Sequence, residues 1–147
     1  MKLNVKSDIS FGTNILDLEV PKQLRNKHKS GLGYIDSALG GDGFTPSAVT
    51  FFTGEPGSGK TTMMLTLADK LTKSGAVCMF NTAEESLFQV KLVAERLNLQ
   101  HGFHAGQETS VPALLEYCDT LRNKRGNKNK PFFLIVDSLQ TLDDGRY

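Results

Sequence analysis

The sequence has only two cysteines among its 147 residues. Cys78 falls in a strand-like segment and Cys118 in a helix-like one, and neither has a second Cys or a His pair nearby. This spacing excludes a zinc site of the usual kind and disfavours a disulfide. We therefore expect two reduced thiols that are buried as small hydrophobic side chains.

The sequence also lacks a long apolar run and a strong excess of one charge. No segment is long enough to span a bilayer, and residues 1–8 lack the apolar core of a signal peptide. The formal net charge is +1, which indicates no partner by itself. Hydrophobic residues make up 39% of the chain and charged residues 22%. We expect a cytoplasmic, globular protein with no membrane partner.

A phosphate-binding pattern, GxxxxGK[ST], is matched at every defined position in the middle of the chain. Its small residues let consecutive backbone N–H groups point inward around a phosphate. Lys60 brings a positive charge to the β- and γ-phosphates of a nucleotide, and Thr61 offers a hydroxyl to Mg²⁺. The predicted nucleotide-binding residues are Gly54, Glu55, Pro56, Gly57, Ser58, Gly59, Lys60, Thr61 and Thr62.

Strands and helices alternate along the rest of the chain. Strands are predicted over 49–53, 77–81, 102–106 and 132–137, and helices over 30–39, 62–73, 86–99 and from Ser110 to about residue 121. The nearly all-apolar strands indicate an α/β fold, with a mostly parallel sheet covered by helices on both faces. We interpret residues 1–29 as an N-terminal arm and residues 30–147 as part of one domain.

Three polar segments follow the carboxyl ends of predicted strands. They are the phosphate loop, the pair Glu84–Glu85, and Asp137. Ligands bind beyond these ends in open α/β sheets, so we expect the three segments to converge. Asp137 then serves as the acid that holds Mg²⁺, directly or through a water. One of the two glutamates can activate water; we favour Glu84, with Glu85 as the alternative.

A basic stretch over residues 122–130 carries five Lys or Arg in nine positions. One interpretation is a solvated loop that joins a helix to a strand. The other is a contact for the phosphate backbone of a nucleic acid. No aromatic residue is interleaved there, so no base-stacking surface is indicated. We interpret His101 and His104 as structural residues.

Together these segments resemble the RecA superfamily of P-loop NTPases, and most closely the bacterial RadA (Sms) family. Residues 30–43 resemble its TG-x-x-x-LD-x-x-LGGG stretch, 54–62 its Walker A loop, 82–86 with Gln89 its GEES-x-x-Q segment, 107–109 its AET, and 135–142 its VIDSIQTL. The resemblance implies ATP and Mg²⁺ as ligands, and an ATPase motor that acts on DNA in recombination and repair. It also implies a homo-oligomer with nucleotide between subunits, and Glu84 as the catalytic carboxylate beside Lys60.

The sequence departs from that family in two respects. Residues 1–29 contain no cysteine for the family's four-cysteine zinc finger. In RecA-type sheets the strand after Walker B lies between the Walker B and Walker A strands, and this sequence does not supply it. Either the chain is a fragment of a longer protein, with the sheet incomplete on its C-terminal side, or the sheet is completed in another way; we favour the fragment.

Three other functions fit the same motifs. A nucleotide-gated regulator of the KaiC kind would use ATP to control assembly. A P-loop kinase of small molecules would use residues 122–130 as a basic lid, although that stretch precedes Walker B and suits the part poorly. A chain that binds nucleotide without turnover would not be an enzyme.

Overall fold

A computed structural model of the chain describes residues 10–145. Its helices are α1 (Lys22–Arg25), α2 (Gly33–Ala38), α3 (Lys60–Lys73), α4 (Leu87–Arg96) and α5 (Val111–Arg122), and its strands are β1 (Val77–Thr82), β2 (His104–Gly106) and β3 (Phe132–Asp137). Short 3₁₀ turns occur at Ile15–Asp17 and Leu139–Thr141. No helix in this part of the chain is both long enough and apolar enough to cross a membrane.

The described strands form one parallel sheet in the order β2-β1-β3. Val77 pairs with Phe132 at one end of the β1–β3 ladder and Thr82 pairs with Asp137 at the other. The short strand β2 pairs with the second half of β1, with Asn81 beside Gly106. The prediction of an α/β fold with a parallel sheet is confirmed.

Alternate side chains of β1 enter two separate cores, one on each face of the sheet. Cys78 and Phe80 pack with α3 and α4 on one face, where Leu65 and Leu71 are fully buried. Val77 and Met79 pack on the other face against the buried side of α5, which comprises Leu114, Cys118 and Leu121. The period of two along the strand therefore gives each face its own helices.

The two cysteines are free and buried, as predicted. Cys78 belongs to the α3 core and Cys118 to the α5 core, so the sheet separates them. Burial raises the pKa of the Cys78 thiol to about 12 and also raises the pKa of Cys118. Both side chains therefore remain protonated at neutral pH.

The strand predicted over residues 49–53 is wrong, because the structure forms no strand there. Val49 is 81% exposed and Phe51 is 71% exposed, while Phe52 packs against the α3 core. Among the described residues, the segment has no ladder partner that would satisfy its N–H and C=O groups. Its β-branched and aromatic composition fits a strand, but composition cannot supply a neighbouring strand.

The helix boundaries differ from the sequence-based ones by a few residues. α3 begins two residues earlier than predicted, at Lys60, and α4 ends at Arg96, where the prediction continued to residue 99. Ser86 caps α4 through a reciprocal capping box with Gln89, at 3.2 and 3.0 Å. Ser110 caps α5 by accepting from the Ala113 N–H. These local hydrogen bonds fix the starts of both helices.

The residues before α2 are joined to the domain at His28. The backbone of His28 exchanges hydrogen bonds with Phe44, and its Nε2 lies 2.8 Å from Ser74 Oγ. Its ring also packs against Phe133, with centroids 5.5 Å apart. The basic end of the predicted arm is therefore anchored against the start of β3.

Candidate nucleotide site

The loop over residues 54–59 needs glycine at two positions for physical reasons. Gly59 directly precedes α3 and has a φ of +85°, a backbone conformation that residues other than glycine rarely adopt. Gly57 likewise has a positive φ, +78°. The Lys60 ammonium folds back to donate to the Gly54 carbonyl. This hydrogen bond closes the loop around the Lys60 side chain. The loop lies at the N-terminus of α3, a helix of 14 residues, and anions bind favourably at such a helix end.

Thr61 and Asp137 meet at the carboxyl end of β3. The Thr61 hydroxyl donates to Asp137 Oδ2 at 2.7 Å, across 76 residues of sequence. Asp137 is the last residue of β3, and Thr61 lies in the first turn of α3. Thus the predicted Mg²⁺ ligands converge.

These two side chains suit Mg²⁺ by the chemistry of their donors. A hydroxyl and a carboxylate are the hard oxygen ligands this ion prefers, and Mg²⁺ completes its shell with phosphates and waters. Among residues 10–145, no group of three or more His, Cys, Asp or Glu side chains could hold a metal. A hydroxyl and a carboxylate beside a phosphate loop are the donors that P-loop NTPases offer to a Mg²⁺ shared with a nucleotide, so the residues present fit that ion.

Glu84 lies at the same edge of the sheet, and its carboxylate is hydrogen-bonded to the segment just after β3. Its Oε1 accepts from Ser138 Oγ at 2.8 Å and from Gln140 Nε2 at 3.3 Å. Ser138 directly follows Asp137, so the carboxylate after β1 is tied to the segment that carries the predicted metal ligand. The sequence singled out Glu84 but gave no sign of Ser138 or Gln140 as its partners.

Glu85 has a different environment. Its backbone N–H donates to Thr82 Oγ1 at 3.3 Å, and its carbonyl accepts from Gln107 Nε2 at 3.2 Å. These contacts connect the end of β1 to the segment after β2. Glu85 therefore takes part in the structure through its main chain, whereas Glu84 presents its carboxylate to the β3 end.

An open cavity of about 370 Å³ adjoins the phosphate loop. Besides loop residues, it is lined by Tyr34, Thr53, Met63 and Thr66. Tyr34 is 60% exposed and brings an aromatic face from α2. Sequence reasoning missed it, because α2 is separated from the phosphate loop by an irregular segment.

The position of α2 is fixed by a buried carboxylate. Asp36 accepts from Ser30 N at 2.9 Å, from Ser30 Oγ at 2.8 Å and from Gly31 N at 3.3 Å. Burial alone would raise the pKa of Asp36, but these hydrogen bonds, helped by the charge of Lys29, hold it below its ordinary value. The ionised Asp36 thereby fixes the chain where it enters the helix that carries Tyr34.

His101 and the basic stretch lie away from this site. The N–H of His101 donates to Asp69 Oδ1 at 2.6 Å, and its ring Nδ1 lies 3.4 Å from Asp69 Oδ2. The structural role expected for His101 therefore involves a buried carboxylate partner on α3 that the sequence did not indicate. Residues 122–130 precede β3 and so lie at the opposite end of that strand from Asp137.

The chain is similar to several bacterial proteins named DNA repair protein RadA. It is 35% identical to that of Rickettsia felis over 141 residues, 32% identical to that of Mycolicibacterium smegmatis over 116, and 29% identical to that of Listeria monocytogenes over 125. The matches cover 96%, 78% and 84% of this chain, but only 30%, 23% and 25% of those relatives. No protein-family model matches the chain.

Proposed function

Because the chain is a RadA-like relative within the RecA superfamily over most of its length, we propose that it binds Mg-ATP and hydrolyses it in the service of DNA repair. The names of the relatives refer to DNA repair, and the proposal extends this role to a chain that spans less than a third of their length. The proposal includes a cytoplasmic location and a homo-oligomer with nucleotide between subunits.

The observation that carries the proposal is the contact between Thr61 and Asp137. Phosphate loops by themselves occur in many protein classes, but here the hydroxyl after the loop lysine is bonded to the acid that ends β3. This juxtaposition supports a Mg²⁺ site directly beside the β- and γ-phosphate position set by Lys60. When bound, the ion would neutralise charge on the transferring phosphate.

Each protein group then has one role in hydrolysis. The loop N–H groups and Lys60 bind the phosphates of ATP. The Glu84 carboxylate orients a water and accepts its proton as the water oxygen bonds to the γ-phosphorus. The bond from that phosphorus to the bridging oxygen breaks, and ADP leaves with phosphate as the other product. Ser138 and Gln140 hold Glu84 in place.

The placement of the basic stretch argues against the kinase alternative. A lid must reach the phosphates, but residues 122–130 lie before β3 and the phosphate loop meets the far end of that strand. A KaiC-like regulator uses the same nucleotide site, so it differs from the proposal only in its response to DNA.

The test is ATP turnover by the full chain with and without DNA, together with nucleotide binding. Lys60→Ala should abolish ATP affinity, because it removes the positive charge that faces the phosphates of ATP. Glu84→Gln should bind Mg-ATP normally and barely hydrolyse it, whereas Glu85→Gln, the matched control, should retain turnover. Normal ATP binding by Lys60→Ala would refute the phosphate-loop assignment, and loss of turnover only in Glu85→Gln would reverse the two glutamates. A rate of ATP turnover that does not change when DNA is added would favour the KaiC-like regulator.

A further inference from the structure

The loop between α5 and β3, residues 123–131, lies at the end of the sheet opposite the nucleotide site. β3 runs from Phe132 to Asp137, so the loop is separated from the Asp137 end by roughly 17 Å, at ~3.3 Å for each strand residue. The phosphates of a nucleotide held by Lys60 cannot reach it. Whatever binds this loop is therefore a different ligand from the one in the phosphate loop.

The loop is built from successive hydrogen-bonded turns. Asn127 N donates to the Lys124 carbonyl and Lys130 N to the Asn127 carbonyl, both at 3.0 Å. The Asn127 side chain donates to the Leu121 carbonyl at 2.9 Å, and Gly126 has φ +93°. These contacts shape an open cavity of about 410 Å³, lined by Asn123, Arg125, Gly126, Lys128 and Asn129. Apart from the glycine, every lining side chain carries an N–H donor, and none carries a carboxylate.

The cations of this loop are exposed and lack acidic neighbours in sequence. Lys124, Arg125, Lys128 and Lys130 all face solvent. Within residues 10–145 none of the four forms an ion pair, and residues 120–136 include no Asp or Glu. A concentration of positive charge on a chain whose net charge is only +1 favours a strongly anionic partner.

Two further basic segments lie at the same end of the sheet. The turn after α3 is joined to the loop, because Val77 N donates to the Pro131 carbonyl at 2.8 Å. Exposed Lys73 directly precedes that turn. His28, next to exposed Lys27, bonds to Ser74 in the turn at 2.8 Å. Cations from three separate parts of the sequence thus lie at one end of the domain.

We propose that this basic end, comprising Lys27, Lys73, Lys124, Arg125, Lys128 and Lys130, binds the phosphate backbone of duplex DNA. The loop offers no aromatic ring on which an unstacked base could lie. Its donors are cations and amides, which suit phosphate oxygens. A duplex presents those oxygens at higher linear charge density than a single strand does. The choice of DNA rests on the proposed function, but the contact itself requires no ATP hydrolysis.

The experiment is fluorescence anisotropy of a labelled 20-base-pair duplex with the full chain, without nucleotide, over a series of salt concentrations. Each lost phosphate contact should reduce the slope of log K against log[salt] by about 0.9 and weaken binding at 0.1 M salt by roughly eightfold. Lys124→Ala/Arg125→Ala/Lys128→Ala should therefore reduce the slope by about 2.7. Lys91→Ala, which removes an exposed charge on α4, is the control and should change neither quantity by a comparable amount.

An unchanged slope in the triple variant, or tighter binding of a single strand than of the duplex, would overturn the proposal. Circular dichroism of the variant checks that the exposed substitutions leave the fold intact. The Lys60→Ala variant separates this inference from the proposed ATPase, because it should lose nucleotide binding and keep the wild-type salt slope. Loss of DNA binding in Lys60→Ala, with the triple variant unaffected, would assign DNA to the nucleotide end and refute the inference.

Discussion

Removing the hydroxyl of Ser138 should slow ATP hydrolysis without weakening ATP binding. Ser138 Oγ donates to Glu84 Oε1 at 2.8 Å, which is a hydrogen bond to a charged group. Such bonds contribute about 1.5–3 kcal/mol. Because Glu84 is exposed and Ser138 is only partly buried, water can replace part of the interaction, and we take the lower value. A loss of about 1.5 kcal/mol in the transition state corresponds to roughly a tenfold fall in kcat.

The assay is a double-mutant cycle on single-turnover hydrolysis. Ser138→Ala and Glu84→Gln are measured alone and together, with nucleotide affinity measured in each variant. If Ser138 acts by positioning Glu84, Ser138→Ala should lower the hydrolysis rate about tenfold when Glu84 is present. The same substitution should leave the rate almost unchanged when Glu84 is already glutamine. Equal losses in both backgrounds would refute the reasoning, as would a wild-type rate for Ser138→Ala. A weaker loss is expected for Gln140→Ala, whose hydrogen bond to Glu84 is 3.3 Å long.

Three further predictions concern stability, each measured by urea unfolding. Asp36→Asn should lower the free energy of unfolding by about 1–3 kcal/mol, because an amide cannot accept from all three donors of Ser30 and Gly31; an unchanged midpoint would contradict this. Burial lowers the pKa of His28 against the opposing charge of Asp36, so stability should fall as the pH drops below 6.5, and His28→Gln should flatten that dependence. Burial raises the pKa of Cys78 from 9.0 to about 12, so stability should fall between pH 9 and 12 by about 1.4 kcal/mol for each pH unit, and Cys78→Ala should reduce that slope.

Features that depend on neighbouring residues in the sequence could be predicted. The phosphate loop needs glycines within a few positions of Lys60, and the caps at Ser86 and Ser110 involve residues three positions away. The alternation of strands and helices likewise follows from local apolar patterns. For that reason the α/β class, and the positions of Glu84 and Asp137 at the carboxyl ends of β1 and β3, could be inferred from the amino-acid sequence alone.

Features that depend on distant residues could not be predicted. The carboxylate of Asp69 and its partner His101 are 32 positions apart, and Gln140 is 56 positions from Glu84. No local pattern indicates such pairs, because each side chain alone looks like an ordinary surface residue. The segment 49–53 shows the same limit in reverse, since its residues suit a strand but a strand exists only with a partner.

The irregular state of residues 49–53 determines how the phosphate loop is held. Because the part of the chain that the structure describes forms no ladder with residues 49–53, the loop is positioned by α3, whose Leu65, Ala68 and Leu71 are fully buried against the sheet. The Thr61–Asp137 hydrogen bond then joins the first turn of α3 to the end of β3. A ligand shared by Thr61 and Asp137 would strengthen that junction, so nucleotide and Mg²⁺ should stabilise the packing of the helix on the sheet as well as occupy the site. Binding at this edge and cohesion of the α3 core are therefore physically coupled through the same two side chains.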